Sequence, residues 1–363
     1  MPSSGWHVLV FMVKFVGMIL FSSVKKISVI IGILAVGITP VFAQTEGDFW
    51  TEATGTVDAA LTTTTTSELV DLPAVPSRIL IPEPIVRVGL YKTNEVIKIK
   101  SDFNYEIWIG GVVRGVLAPG ETVTLQYKKG IYTVQTPSFE FGSKEYVRLV
   151  PQDPSHFFTL INYNRSVAGR KNVNFNVYRG TLEYRFSLKS NLPYIINELP
   201  LDLYTSGIAE TSDSAPVEYM KALSVAARSY AYALISKTPP TEKRMFDVYA
   251  TTADQLYLGY NSENFMPEYF KAAKATAGEL VTYNTNPVIT FYFSHSNGTT
   301  KSGGKGRPWL KSVAAPYDKG KGMLGHGIGM SNYDAQQHAR RDGWDYKKIL
   351  EYYYSNTVVE KIY

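Results

Sequence analysis

The chain has 363 residues, 45% of them hydrophobic and 19% charged, which excludes disorder over most of its length and suffices for two domains or one elaborate one. Lys plus Arg number 37 against 32 Asp plus Glu, a formal charge of +5; without Lys14, Lys25 and Lys26 of the apolar N-terminal stretch the balance is 34 against 32, too small to call for a nucleic-acid partner. Zero cysteines exclude disulfides, thiolate chemistry and cysteine-based zinc sites together, and 28 glycines with 19 prolines lack the triplet period of collagen.

Residues 27–43 follow the Lys25-Lys26 pair as one apolar run and end in Val41-Phe42-Ala43, so a positive region, an apolar region and a small-x-small cleavage site succeed one another as in an export signal. An earlier run, Val8 to Phe21, is broken by Lys14, and Met18 is the more natural start. The run of 27–43 is short for a membrane span of about 20 residues, so cleavage near Ala43 is expected, with a membrane tether through the same segment as the alternative. Residues 44–84 are Thr-, Ala-, Glu- and Pro-rich, with threonines from Thr62 to Thr66 and prolines at 73, 76, 82 and 84; they read as a flexible linker.

Alternation then predicts strands at Ile85–Leu90, Val96–Ile99, Tyr105–Ile109, Val123–Tyr127, Tyr132–Gln135 and Tyr146–Leu149, separated by Gly-Gly, Pro-Gly and Lys-Gly turns. These make a β-rich N-terminal lobe over 85–165. In the core, 166–363, strands are expected at Phe175–Tyr178, Leu182–Leu188 and Leu192–Glu198. Val217, Met220, Leu223, Ala227, Tyr230 and Leu234 then recur at helical spacing and predict a long helix over 216–236, with Pro216 in its first turn and Asp213 or Ser214 capping it. The same period marks 266–276, 333–341 and 344–354, while Leu280–Tyr283 and Val288–Phe293 read as strands. The fold class is α+β. The 26 tyrosines, 17 phenylalanines and five tryptophans suit ordinary sheet packing or an aromatic surface that stacks on sugar rings.

Few residues can carry chemistry. His7, His156, His295, His326 and His338 form no metal-ligand spacing, and neither a Gly-x-Ser-x-Gly elbow nor a phosphate-cradling loop is present. Within Gly207-Ile208-Ala209-Glu210-Thr211-Ser212-Asp213-Ser214-Ala215-Pro216, an apolar strand end delivers Glu210 just before the helix. A glutamate among apolar neighbours can stay protonated near neutral pH and act as an acid; equally, Glu210 can be a solvated loop carboxylate or a helper of the helix cap. Gly325-His326-Gly327-Ile328-Gly329-Met330-Ser331-Asn332 brings backbone close to a ligand or forms a plain turn. Ser294-His295-Ser296-Asn297-Gly298-Thr299-Thr300 offers groups that suit sugar hydroxyls or an ordinary loop.

In order along the chain, Asn197-Glu198-Leu199-Pro200-Leu201-Asp202 with Tyr204 and Gly207, then Glu210, then Pro216 and the helix through Ala226-Ala227-Arg228-Ser229-Tyr230-Ala231 resemble the SpoIID/LytB family of bacterial cell-wall proteins. Tyr257-Leu258-Gly259, Thr276-Ala277-Gly278, Tyr292 with Ser296 to Thr300, and Gly325 to Ser331 continue the pattern, and the resemblance covers about residues 85–363. It implies an exported protein of the cell envelope or exterior that acts on peptidoglycan glycan strands through a helix-containing core around a central cleft, with no cofactor. SpoIID-like members are lytic transglycosylases that cut between N-acetylmuramic acid and N-acetylglucosamine and leave 1,6-anhydro ends. Glu210 sits where the family carries its single acid/base. Tyr204, Arg228, Tyr292, Ser296, Asn297, Thr300, His326 and Ser331 are the implied substrate-side residues, with a structural role the alternative for Arg228 and the tyrosines.

The resemblance also implies a second class: LytB-like members enhance amidases, which would make the chain a non-catalytic wall-binding partner of such an enzyme. A hydrolase pairing Glu210 with Glu198 or Asp202 is a third. The sequence departs from the family in a shorter loop before the long helix, and in Asn297 where glycine is common. It also carries Ala253-Asp254 where some members have a zinc-linked His-Cys pair, so no metal is expected.

Overall fold

The computed structural model describes residues 79–237 and 245–363, so residues 1–43, read above as an export signal, and the part of the expected linker before residue 79 lie outside the described residues. Nine strands come first: β1 (Ile85–Lys92), β2 (Ile97–Ser101), β3 (Tyr105–Ile109), β4 (Val112–Leu117), β5 (Thr122–Lys128), β6 (Ile131–Gln135), β7 (Glu140–Ser143), β8 (Val147–Pro151) and β9 (Phe157–Leu160). Next are β10 (Val177–Arg179), β11 (Thr181–Ser187), β12 (Leu192–Pro200), α1 (Leu201–Ser206), α2 (Val217–Lys237), β13 (Val248–Tyr249), α3 (Tyr260–Phe265) and α4 (Pro267–Ala275). The chain closes with β14 (Glu279–Tyr283), β15 (Asn286–Pro287), β16 (Tyr292–Phe293), β17 (Met330–Ser331), α5 (Asn332–Arg341), α6 (Tyr346–Tyr353) and β18 (Val358–Lys361).

The class is α+β, with a β-rich N-terminal part. A seven-stranded sheet runs β13-β1-β12-β11-β8-β3-β4 and a six-stranded one β10-β9-β2-β5-β6-β7. Alternation explains the first: in β3, Tyr105, Ile107 and Ile109 point inward while Glu106 and Trp108 face out. β12 is the exception, buried from Pro193 to Asn197 without a break, because it lies between β1 and β11 and its second face is covered as well. The sheet thus continues without interruption from residues before 165 to residues beyond 177.

α2 is buried on nearly every side, with Ala222, Leu223, Val225, Ala226 and Ala227 fully inside and α4, α6 and β14 packed around it. Its small side chains let those elements approach closely. Capping differs from expectation: Asp213 Oδ1 accepts from the backbone N–H groups of Glu268 and Tyr269, 2.8 and 3.0 Å away, and so caps α4; the Ser214 hydroxyl pairs with that of Ser212. The run 288–293 is a strand only at its last two residues. Val288 and Ile289 are apolar because they are buried, and the Ile289 carbonyl accepts from the Trp309 indole instead of a neighbouring strand. Helices α1 and α3, six residues each, are too short to show a period and were not expected. Among the described residues no helix is long and apolar enough to cross a membrane.

Candidate active site

Glu210 follows α1 on a short extended segment. Ile208 bridges Tyr257, the Ala209 N–H donates to the Leu256 carbonyl (2.9 Å) and the Leu258 N–H to the Gly207 carbonyl (2.9 Å). Gly207 permits this approach, since a Cβ there would stand 2.5 Å from the Tyr257 ring. Arg170 clamps the same segment from the other side: its guanidinium donates to the carbonyls of Ala209 and Thr211, one on each flank of Glu210. The carboxyl is therefore held by its backbone in a half-buried position.

Behind it runs a line of buried polar groups. The Tyr204 hydroxyl donates to Gln255 Oε1 (2.8 Å), Gln255 Nε2 donates to the Tyr292 hydroxyl (2.9 Å), and that hydroxyl donates to Glu210 Oε2. Such chains polarise each member and fix its orientation. Burial raises the Glu210 pKa from the ordinary value of 4.5, opposed by the Tyr292 hydroxyl, the Leu256 backbone and the Arg170 charge. Burial and the adjoining carboxylate push the Tyr292 phenol well above its usual range, so it remains a donor.

Glu210 and Tyr292 open into a cleft of about 800 Å³, which His326 also lines. β16 and β17 pair in parallel, Tyr292 opposite Met330, and this pairing sets the Gly-His-Gly loop beside Glu210's partner. Gly325, Gly327 and Gly329 all have positive φ, and a Cβ on Gly329 would meet the Phe291 carbonyl oxygen at 2.0 Å. His326 Nδ1 accepts from the Ile328 N–H (3.0 Å), which assigns the ring proton to Nε2. Its ring sits at the rim between Phe291 and Phe293, 5.7 and 5.6 Å from their centroids; burial lowers its pKa, opposed by a hydrogen bond to the Tyr292 backbone, so the ring is neutral at neutral pH.

The structure thus brings Glu210, Tyr292 and His326 to one cavity. Other expected substrate-side residues lie elsewhere. Tyr204 is fully buried in the line behind Glu210. Arg228 is likewise fully buried; its guanidinium donates to Asp202 Oδ1 (2.6 Å) and to the carbonyls of Ala273 (2.9 Å) and Glu279 (3.3 Å), so its role is structural. Ser296 and Ser331 are buried around Asp318, whose Oδ2 accepts from the Ser296 N–H (2.7 Å) and the Ser331 hydroxyl (2.6 Å). Thr300 is buried too and accepts from the Val313 N–H (2.9 Å). Asn297 is exposed but does not line the cleft. Apart from exposed Asn297, these side chains share one physical reason for their placement: their hydroxyls and the guanidinium satisfy buried backbone and polar groups that would otherwise lack partners.

Neither carboxylate considered as a partner for Glu210 is free to serve it. Glu198 is bound by Arg87 and by Arg148 (2.6 Å), and Asp202 by Arg228. Asp254 does line the cleft, but its oxygens accept from the Tyr230 hydroxyl (2.8 Å) and the Tyr249 N–H (2.8 Å). Among the described residues no three His, Asp or Glu side chains gather as metal ligands would.

Arg170 and Gln255 are the site residues that sequence reasoning missed. Arg170 lies in a stretch without periodicity and binds carbonyls 39 and 41 positions away, which leaves no local signal. Gln255 directly follows the Ala253-Asp254 pair, but its partners Tyr204 and Tyr292 lie 51 and 37 positions away, which again leaves no local signal. Asn332, Tyr333 and Gln336, on the first turns of α5, complete the wall.

Residues 190–283 match the family model described as SpoIID, stage II sporulation protein, a stretch that holds Glu210, α2 and Gln255. Stage II sporulation protein D of Bacillus subtilis (strain 168) is 29% identical over 140 residues, 34% of this chain and 41% of that protein. An uncharacterised protein of Brachyspira hyodysenteriae is 35% identical over 143 residues, 38% of this chain and 36% of its own. Stage II sporulation protein D of Bacillus amyloliquefaciens is 29% identical over 143 residues, 34% of this chain and 41% of its own. The chain spans about two fifths of the length of the curated relatives it matches. The candidate acid thus lies inside the stretch, residues 190–283, that is similar to the SpoIID family.

Proposed function

We propose that the chain is an exported, cell-wall-directed lytic transglycosylase that cleaves the bond between N-acetylmuramic acid and N-acetylglucosamine in peptidoglycan. One observation carries this: the carboxyl of Glu210, in no ion pair among the described residues, its proton affinity raised by burial, oriented by Tyr292 at the wall of a cleft large enough for sugar rings. Protonated Glu210 donates its proton to the glycosidic oxygen as the bond from the muramic C1 to that oxygen breaks. The resulting carboxylate then takes the proton of the muramic 6-hydroxyl as that oxygen bonds to C1, closing a 1,6-anhydro ring. The proton is back on Glu210 and no water is consumed, so one carboxyl does the work of the two used by ordinary glycosidases. The neutral His326 ring at the rim suits hydrogen bonding to sugar.

Glu210→Gln keeps the shape and removes the acid; its turnover on purified peptidoglycan should fall by about 10²- to 10⁴-fold with glycan binding retained. Anhydro-muropeptides in the parent digest, read by mass, support the assignment. Reducing ends would replace it with a hydrolase, and absence of cleavage together with stimulation of an added amidase would replace it with an enhancer. The same variant reads the burial directly. A raised folded pKa stabilises the fold below the ordinary glutamate range, and that contribution is lost as pH rises through the folded value. At pH 7 Glu210→Gln should therefore melt above the parent.

A further inference from the structure

A second pocket of about 450 Å³ adjoins the Glu210 cleft and shares Ala253 and Asp254 with it as a common wall. Two lysines stand on it. Lys92 ends β1 opposite Tyr194, and Lys189 lies in the turn between β11 and β12, so the ladder sets both at one end of the seven-stranded sheet. Tyr194, Phe246 and Tyr249 supply an aromatic wall. Lys92 and Lys189 are exposed, and neither ammonium has a partner among the described residues. Among the described residues Asp254 is the only acidic one of the lining, and both its oxygens are already engaged.

An aromatic face beside two uncompensated ammonium groups suits a ligand that joins a ring to an anion. Building on the proposed glycan cleavage, we propose that this pocket is a subsite of the same groove and binds a carboxylate carried on the muramic acid substituent. Two sources share that chemistry: the lactyl carboxylate of a strand stripped of peptide, and the carboxylates of an attached stem peptide. The lysines would then set which stretch of strand lies across Glu210, because an anion held beyond the Ala253-Asp254 wall fixes the register of the sugars in the cleft.

Binding is measured with the full chain carrying Glu210→Gln, which separates it from turnover. The ligands are stripped strands, the same strands with carboxyls converted to amides by carbodiimide, peptide-bearing strands, and neutral chitohexaose. The charged stripped or peptide-bearing strand should bind roughly tenfold more tightly than its amidated form, as one charge-assisted contact would give. Whichever charged strand shows the larger preference identifies the source. Adding Lys92→Gln and Lys189→Gln should abolish the preference while affinity for amidated strands and chitohexaose holds. Equal affinity for charged and amidated strands, a preference that survives the double substitution, or an equal loss on every ligand overturns the subsite. Formation of anhydro ends by the parent alongside any of those results removes the subsite alone. A lysine-dependent preference in a chain that forms no such ends removes the cleavage and keeps the subsite.

Discussion

Between residues 85 and 165, tyrosines aside, Ser101 is the one buried polar side chain, whereas beyond residue 196 Asn197, Thr205, Arg228, Ser229, Gln255, Thr276, Thr290, Ser296, Asp318, Ser331 and Asp334 are all buried. The first region is held by ladders and by apolar side chains that any similar shape could replace. The second is held by side chains bonding to one another and to backbone far away in sequence, and there a residue is dictated by its partner. The cleft belongs to the second kind. Positive-φ glycines, a two-residue parallel pair and the half-buried Arg170 stabilise a concave surface that regular elements alone would not form.

Substitutions can break this contrast. The largest effect is expected at Arg228→Ala, which takes the guanidinium away from Asp202 and from the carbonyls of Ala273 and Glu279; denaturant unfolding should show a loss of about 3–5 kcal/mol. A loss below about 1 kcal/mol would mean that the polar network is not what holds this half. Ile107→Ala, in the apolar half, should cost about 2–5 kcal/mol through the cavity it leaves. It should leave the pH dependence of cleavage unmoved, and a shifted profile would show that the two regions are not separable. Tyr292→Phe is the mildest and the most specific. It removes a donor that favours the charged form of Glu210, so the acid persists to higher pH; the alkaline limb of activity should move upward while the maximum falls about tenfold. An unmoved limb would separate Tyr292 from the carboxyl.

Legibility follows the same division. Strands β1, β2, β3, β5, β6 and β8 could be read because a two-residue alternation is the direct image of a sheet with one buried face; β4 and β7 could not, since β4 buries only Leu117 and β7 buries no residue. The α2 helix could be read from its stripe, although the stripe understated its burial: the alanines and Ser224 between the large residues are inside as well. The cap was misassigned because Asp213 sits beside the start of α2 in sequence but beside the start of α4 in space. Glu210 stood out as the acid next to an apolar strand end, and His326 and Tyr292 as members of a family pattern. Ser296, Thr300 and Ser331 belonged to the same pattern, yet a motif does not distinguish a hydroxyl that meets a ligand from one that completes the fold beneath it.

By itself the sequence determined the class, the strands and helices with a clear period, the want of thiol chemistry, and the one glutamate worth singling out, since these depend on composition and on periods only a few residues long. Tertiary structure alone decided that Tyr204, Gln255, Tyr292 and Glu210 form a single line, for its links join residues 51, 37 and 82 positions apart. It likewise decided that Arg170 fastens the backbone around the acid and that two lysines flank the neighbouring pocket. Local backbone preference sets a repeat, but which distant polar group meets which is chosen only when packed elements exclude water and each buried donor must find an acceptor.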